Sequence, residues 1–350
     1  MVYGRLLRTL GNSVPDIRSA GRIELTSGTT IALWREVGKR RTHMQPIRAI
    51  ERTVNAMEQH SGPARGYGAP TPAVSTSPVM IPTLENAAMP LNRVQALRTQ
   101  RQVVLDYCAG FTDDDWTTPS QAAGWRVRDV IAHLGATCRG LFNQHAITLV
   151  FSDDTEQTNE DLLAPRRAWP TDRLLDEFAH WSKAFIAAAS VAVQPLIGSA
   201  SLRVGSLGRY PVRKLPSMLV FDWHTHLTYD VVPAINRPTT PIDENSLAAT
   251  LEWMLTGLEQ MNRDQMRWLD QPLTLTLTGA AGGNWRINPA GDGRLTVTES
   301  AGIAAAAAIT GGSTDFPAWA TNRVAWRAAG LTLTGNTEYA EKFLDALHII

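Results

Sequence analysis

Two separated stretches of this sequence carry the residue types that hold a catalytic metal: Gly124-Trp125-Arg126-Val127-Arg128-Asp129-Val130-Ile131-Ala132-His133 and Phe221-Asp222-Trp223-His224-Thr225-His226. The first reads as a helix start that carries His133 inward. The second sets Asp222 and His226 four residues apart, one above the other on a helix face. Two imidazole nitrogens and one carboxylate oxygen on rigid helices leave coordination positions open to water or substrate, as catalytic rather than structural zinc requires. Taken alone, His133 on an apolar face reads as a hydrogen-bonded core histidine. The company of Asp222 and His226 makes it a ligand candidate, because facing helices of a bundle are where such sites are built. Asp222, His226 and Asp230 lie on one stripe, while His224 points away around the helix, so His226 is the expected ligand. Asp230 is open between two roles: orienting an imidazole from behind, or sitting solvated near the helix end.

These residues need helices to place them. From Pro90 the pattern is helical, with Val94, Leu97, Val103, Val104 and Tyr107 on one face and a stop at Gly110. A loop from Phe111 to Gly124 follows, and a second helix starts near Arg126 with Val127, Val130, Ile131, Leu134, Cys138 and Leu141 inward. A third runs from Asp172 to about Val193. After a Gly-rich connection, a fourth spans about Pro216 to Pro233 and carries Asp222 and His226. Four such helices make a bundle. Beyond Pro241 a helix from Ser246 to about Met261 precedes the alternation Leu273-Thr274-Leu275-Thr276-Leu277-Thr278, which has the period of a strand. Trp285-Arg286-Ile287, Leu295 to Thr298 and Ala304 to Thr310 read as further strands. Asp315 to Ala329 reads as a short amphipathic helix and Glu338 to Leu347 as a closing one. Leu-Thr-Leu-Thr-Gly recurs at 275–279 and 331–335, an echo too cheap in residue types to claim as a repeat.

The expected layout is an extension over 1–88, a metal-binding helical bundle over 89–240 and an α+β domain over 241–350. The extension has a weak helix pattern from Pro46 to Gln59, then a Pro-, Gly- and Ser-rich run from Ser61 to Pro90. It reads as disordered, as a basic docking arm, or as an artefact of gene calling with translation beginning at Met89. The 33 basic and 33 acidic residues of the 350 balance, giving no electrostatic reason to expect nucleic acid or an anionic membrane. No apolar run reaches membrane-spanning length and no secretory leader opens the chain. Two cysteines, Cys108 and Cys138, form no metal-ligand spacing and no disulfide framework; both read as packing residues of a cytoplasmic protein.

The Pro119-Ser120 loop, Gly124-Trp125 through His133, the Asp222/His226 pair and the trailing α+β part, in that order, resemble the mycothiol-dependent maleylpyruvate isomerase family from about Pro90 to the end. The resemblance implies a DinB-like four-helix bundle followed by a small, sterol-carrier-like α+β domain. It implies a divalent metal, zinc in the first instance, on a histidine of the second helix and a Glu-x-x-x-His pair of the fourth. Those roles fall on His133, Asp222 and His226, with aspartate replacing glutamate; the shorter side chain brings the backbone nearer the metal or shifts metal preference. The family places an aspartate three residues beyond the second histidine, where this chain has Asp230 at four. Mycothiol is the implied thiol cofactor, held as thiolate by the metal at neutral pH. The thiolate adds to an electron-poor alkene, and expulsion after rotation gives cis-to-trans isomerisation; without expulsion the product is a conjugate. The resemblance also places an arginine of the last domain at the reaction. Of Arg286, Arg323 and Arg327, Arg323 is the expected catalytic residue by position, a solvated helix arginine being the alternative. Trp116, Trp125 and Trp223 are expected either to wall the pocket or to pack the core.

The expected partners are a small electrophile and mycothiol, with no nucleic acid and no membrane, in a monomer or homodimer. Two other functions fit the same ligands: a hydrolase that activates water instead of thiol, and a non-catalytic binding module that keeps a vestigial metal.

Overall fold

Asn92 opens the first helix, its side chain accepting from the Gln95 N–H at 3.0 Å. The helix, α1 (Arg93–Ala109), buries Leu97, Val104 and Cys108. The computed structural model describes residues 91–300 and 305–350. The Pro46–Gln59 helix, the Pro-rich run and the rest of the 1–88 extension lie outside the described residues.

The turn before the second helix is tightly tied. Ser120 Oγ donates to the Trp125 carbonyl at 2.9 Å, Gly124 takes φ 79°, and Pro119 bridges to Arg126. Asp129 accepts from the Arg126 N–H at 2.9 Å, which is where α2 (Val127–Gly140) begins. This helix is buried along almost its whole length and packs on α4 (Thr171–Ala192). Between them lie elements that the sequence pattern did not separate from loop: a short helix His145–Phe151 and α3 (Thr155–Leu163), the latter capped by Asp154. The Gly-rich connection proves to be a hairpin of β1 (Ser201–Val204) and β2 (Gly208–Pro211).

The fourth bundle helix departs from a regular α-helix. The α-helix α5 (Leu215–Thr225) passes at His226 into a π-helical stretch, His226–Val231. Such a stretch holds one more residue per turn and recurs at functional sites. The bundle core is built of Leu97, Val130, Ile131, Phe178, Leu219 and Trp223 with their neighbours.

The sheet part follows α6 (Glu244–Met261), which Asp243 caps. Five strands lie in the order β5-β4-β3-β6-β7: β3 (Leu273–Thr278), β4 (Gly283–Pro289), β5 (Leu295–Glu299), β6 (Ala307–Gly312) and β7 (Thr332–Gly335). Only β3 and β6 pair in parallel. Leu273, Leu275 and Leu277 point into the core with Ile287 and Ile309 while the threonines between them face outward, the alternation read from the sequence. The two Leu-Thr echoes are both strands, β3 and β7, flanking β6. The closing helix, α8 (Thr337–Ala346), buries Phe343 and Leu344 against the same core.

The expected Asp315–Ala329 helix does not form. Helix α7 spans only Phe316–Ala320. Asn322 adopts φ 58°, with Asn322 N–H bonding Trp319 O at 3.2 Å and Arg323 N–H bonding Ala318 O at 3.0 Å. That pair of reversed bonds is a Schellman ending, with asparagine in the left-handed position that glycine more often fills. The chain turns there, and a 3₁₀ turn at Trp326–Ala328 follows.

Helix α6 belongs to neither half alone. It packs on α1 and α5 of the bundle and on β2 and β5. Glu252 on this helix accepts from Arg93 Nε at 2.6 Å, from Ser217 Oγ at 2.6 Å and from Lys214 Nζ at 2.8 Å. Among the described residues, no helix is long and apolar enough to cross a membrane.

Candidate metal centre and its cavity

Helix α2 presents His133 from its buried face, and α5 with its π extension presents Asp222 and His226. Each of the three offers a ligand atom, and these atoms lie within 4.8 Å of one another. His133 Nε2 is 3.4 Å and His226 Nε2 is 3.6 Å from Asp222 Oδ1. Those separations are long for hydrogen bonds. They match the spacing of about 3.4 Å between neighbouring ligand atoms that each sit roughly 2.0–2.2 Å from a tetrahedral ion. The other carboxylate oxygen, Asp222 Oδ2, is buried with no hydrogen-bond partner, a cost normally offset by a ligand. Burial works to raise the Asp222 carboxyl, but His133, His226 and Arg323 outweigh it and hold it below the usual carboxylate range. The donor set therefore fits a divalent ion: a carboxylate held ionised, and two imidazole Nε2 atoms converging on it.

Behind His226 stands Asp230. Its Oδ2 lies 2.7 Å from His226 Nδ1, so a proton on Nδ1 leaves the Nε2 lone pair facing Asp222 and His133. Arg323 Nε and Nη2 donate to the two oxygens of Asp230 at 2.9 and 2.7 Å. Burial raises the Asp230 carboxyl, and His226 and Arg323 together bring it below its ordinary value. The open question on Asp230 resolves to the orienting geometry: it is buried behind the imidazole. The π stretch also accounts for its spacing, because one extra residue in the turn is absorbed while the carboxylate stays behind the histidine. Arg323 comes from the Schellman turn after α7.

A cavity of about 560 Å³ opens over the cluster and is lined by His133, Asp222, His226 and Arg323. Trp125 forms part of the wall, its ring centroid 6.2 Å from that of His226 at an interplanar angle of 22°. Its indole N–H donates to Glu160 at 2.6 Å. The other two tryptophans singled out from the sequence are core residues: Trp116 is buried against Phe111 and Trp223 against Phe178. His224 faces away, 3.1 Å from Thr228 Oγ1, and burial lowers its pKa to about 4. Burial pushes the Cys108 thiol up to about 12 and Cys138 well above its ordinary value, so neither is a nucleophile at neutral pH. Arg327 pairs with Asp345 at the surface and Arg286 bonds Asn288; neither lines the cavity.

Sequence reasoning missed two wall residues, Thr137 and Thr225, whose hydroxyls are buried with no hydrogen-bond partner. Their helical spacing was a usable signal: Thr137 lies four residues after His133, and Thr225 lies three after Asp222.

Residues 97–226 match the family model for the mycothiol maleylpyruvate isomerase N-terminal domain. In this segment the chain is similar to that domain. All three candidate ligands fall inside the matched segment, which ends at His226; Asp230 and Arg323 lie beyond it. Among solved structures, the mycothiol-dependent maleylpyruvate isomerase matches at 16% identity and a mutant of it at 14%. Each has a TM-score of 0.45 and covers 69% of this chain and 91% of that one. The sterol carrier protein domain 2 of Helicoverpa armigera matches at 19% identity and a TM-score of 0.22, over 28% of this chain and 84% of that one. No curated protein matches.

Proposed function

We propose that this chain is a metal-dependent enzyme that uses a low-molecular-weight thiol, mycothiol by family, to isomerise or conjugate small electrophilic substrates. His133, Asp222 and His226 hold the divalent ion, zinc in the first instance. The observation that carries this reading is the convergence of three ligand atoms within 4.8 Å on the wall of a cavity large enough for a thiol and a substrate. A bound dication there supplies Lewis-acid chemistry, keeping a thiol as its nucleophilic thiolate at neutral pH.

The chain's own residues supply placement and charge. Asp222 stays ionised and faces two imidazoles from an adjoining turn and a facing helix. Asp230 fixes the His226 tautomer, and Arg323 fixes Asp230. Arg323 is also the arginine proposed to meet the reacting groups: with Nε and Nη2 committed to Asp230, Nη1 is the donor it offers to the cavity. Trp125 shields one side of the centre from water, which strengthens electrostatic interactions inside.

Elemental analysis of chelator-free, untagged protein tests the reading. About one zinc per chain in the wild type, lost in His226→Ala, is the expected result, followed by thiol-dependent turnover of an electrophilic alkene. Absence of metal from both proteins after reconstitution refutes it, and turnover of esters without thiol points to the hydrolase instead.

A further inference from the structure

The two imidazoles of the ligand cluster are held in different ways. His226 is bonded from behind by Asp230, the arrangement usual for a histidine that holds a metal. His133 has no such partner: its Nε2 faces Asp222, and its Nδ1 is buried without a hydrogen bond among the described residues. What lies against the His133 ring is aromatic. The Trp125 ring centroid is 5.2 Å away at an interplanar angle of 46°, and the same indole stacks on His226. The imidazoles are themselves 5.0 Å apart, edge to face. All three separations are those of interacting rings. Trp125 in turn is gripped from α3, a helix that carries no candidate ligand. Its indole N–H donates to Glu160 Oε1 at 2.6 Å, and Leu163, three residues on, belongs to the small apolar cluster that Trp125 joins. Arg167 Nη2 donates to both Glu160 oxygens, at 3.2 and 2.8 Å, and steadies the carboxylate. A hydrogen bond to a carboxylate is directional, so it fixes the rotation of the indole where apolar contact alone would not.

We propose that Glu160 is a positioning residue for His133: by accepting the Trp125 indole N–H it holds that ring against the imidazole, and ring packing then orients His133 where no hydrogen bond does. The inference rests on the proposed function for calling His133 a metal ligand; the trio of rings and its carboxylate brace stand without an ion. An imidazole whose ring is free to turn presents Nε2 to the ion only part of the time, so a ligand rotamer has to be locked by its surroundings. For His226 the lock is Asp230. For His133 it is Trp125, with Glu160 behind it.

Two measurements on the full-length protein test this, with Glu160→Ala, Glu160→Gln, Trp125→Phe and the Glu160→Ala/Trp125→Phe double variant. In metal-free protein the ring protons of His133 and His226 are followed by NMR. Glu160→Ala is expected to shift and broaden the His133 signals while those of His226, held by Asp230, stay sharp; Glu160→Gln, which keeps an acceptor of the same reach, is expected to leave both near the wild type. In zinc-loaded protein the release of metal into excess chelator is timed. Glu160→Ala is expected to release it about three- to tenfold faster, Glu160→Gln at close to the wild-type rate, and Glu160→Ala is expected to add nothing once Trp125 is phenylalanine, because the carboxylate acts through the indole. Unmoved His133 signals in Glu160→Ala, a glutamine variant as impaired as the alanine one, or additive effects in the double variant overturns the proposal. The two readings fail separately: protein that binds no zinc yet shows the His133 changes sinks the proposed function alone, and stoichiometric zinc with His133 unmoved sinks the brace alone.

Discussion

Asp230 touches both the imidazole that faces the ligand cluster and the guanidinium that comes from the sheet part. A carboxylate in that position raises the basicity of the histidine and fixes its ring, and loss of such a partner typically lowers metal affinity about 10–100-fold. Asp230→Asn is therefore expected to weaken zinc binding by that order in a chelator competition assay, with Arg323→Ala shifting affinity in the same direction by less. Unchanged affinity in Asp230→Asn removes the orienting role. The sequence carried His133, Asp222 and His226 as candidates because four-residue spacing and an inward helix face are local properties. It left Asp230 open because its neighbours across the fold, above all Arg323, decide whether a carboxylate at that position is buried. Thr137 and Thr225 escaped notice for a related reason: a threonine inside an apolar helix ordinarily bonds its own backbone, and these two do not.

At the scale of elements, the turn after α7 matters more than the length of the helix. Asn322 at φ 58° reverses the chain and delivers Arg323 to Asp230. Asn322→Gly is expected to be nearly neutral, because glycine reaches this conformation without strain, whereas Asn322→Val is expected to cost about 1–3 kcal/mol in denaturant unfolding. Equal stability of the two variants contradicts the left-handed assignment. Periodicity extended this helix to 329 because the apolar pattern continues past a stop that only asparagine's tolerance of positive φ reveals. The π stretch at His226–Val231 was hidden similarly: the segment from 217 to 232 contains neither glycine nor proline, and the sequence reads as unbroken α-helix. The strand β3 was legible, since strict alternation of leucine with threonine has the period of a half-buried strand, and Leu-Thr-Val-Thr in β5 shares it.

For the molecule as a whole, Glu252 is the charged residue that ties α6 to the bundle, through Arg93 of α1 and through Lys214 and Ser217 at the start of α5. Burial raises its carboxyl, but Arg93, Lys214 and Ser217 outweigh that and hold it below its ordinary value. With the folded-state pKa depressed, the unfolded chain binds the proton more readily, so this contribution is present above the unfolded value of 4.5 and is lost as pH falls through the folded one. Glu252→Gln is expected to destabilise the protein by about 3 kcal/mol at pH 7, because it strands two half-buried cations, and to flatten the acid limb of the stability profile. An unaltered acid limb in urea melts taken across pH 3 to 7 counts against that linkage.

Helix α6 gives Glu252 its position, and the same helix lays Leu247, Leu251, Trp253, Met254 and Leu258 into the sheet core while Ala249 enters the bundle core. The two parts are in this sense not interchangeable modules. A chain severed between them, on either side of α6, would strip the cover from one hydrophobic interior and leave the helix itself with an apolar face bare to solvent.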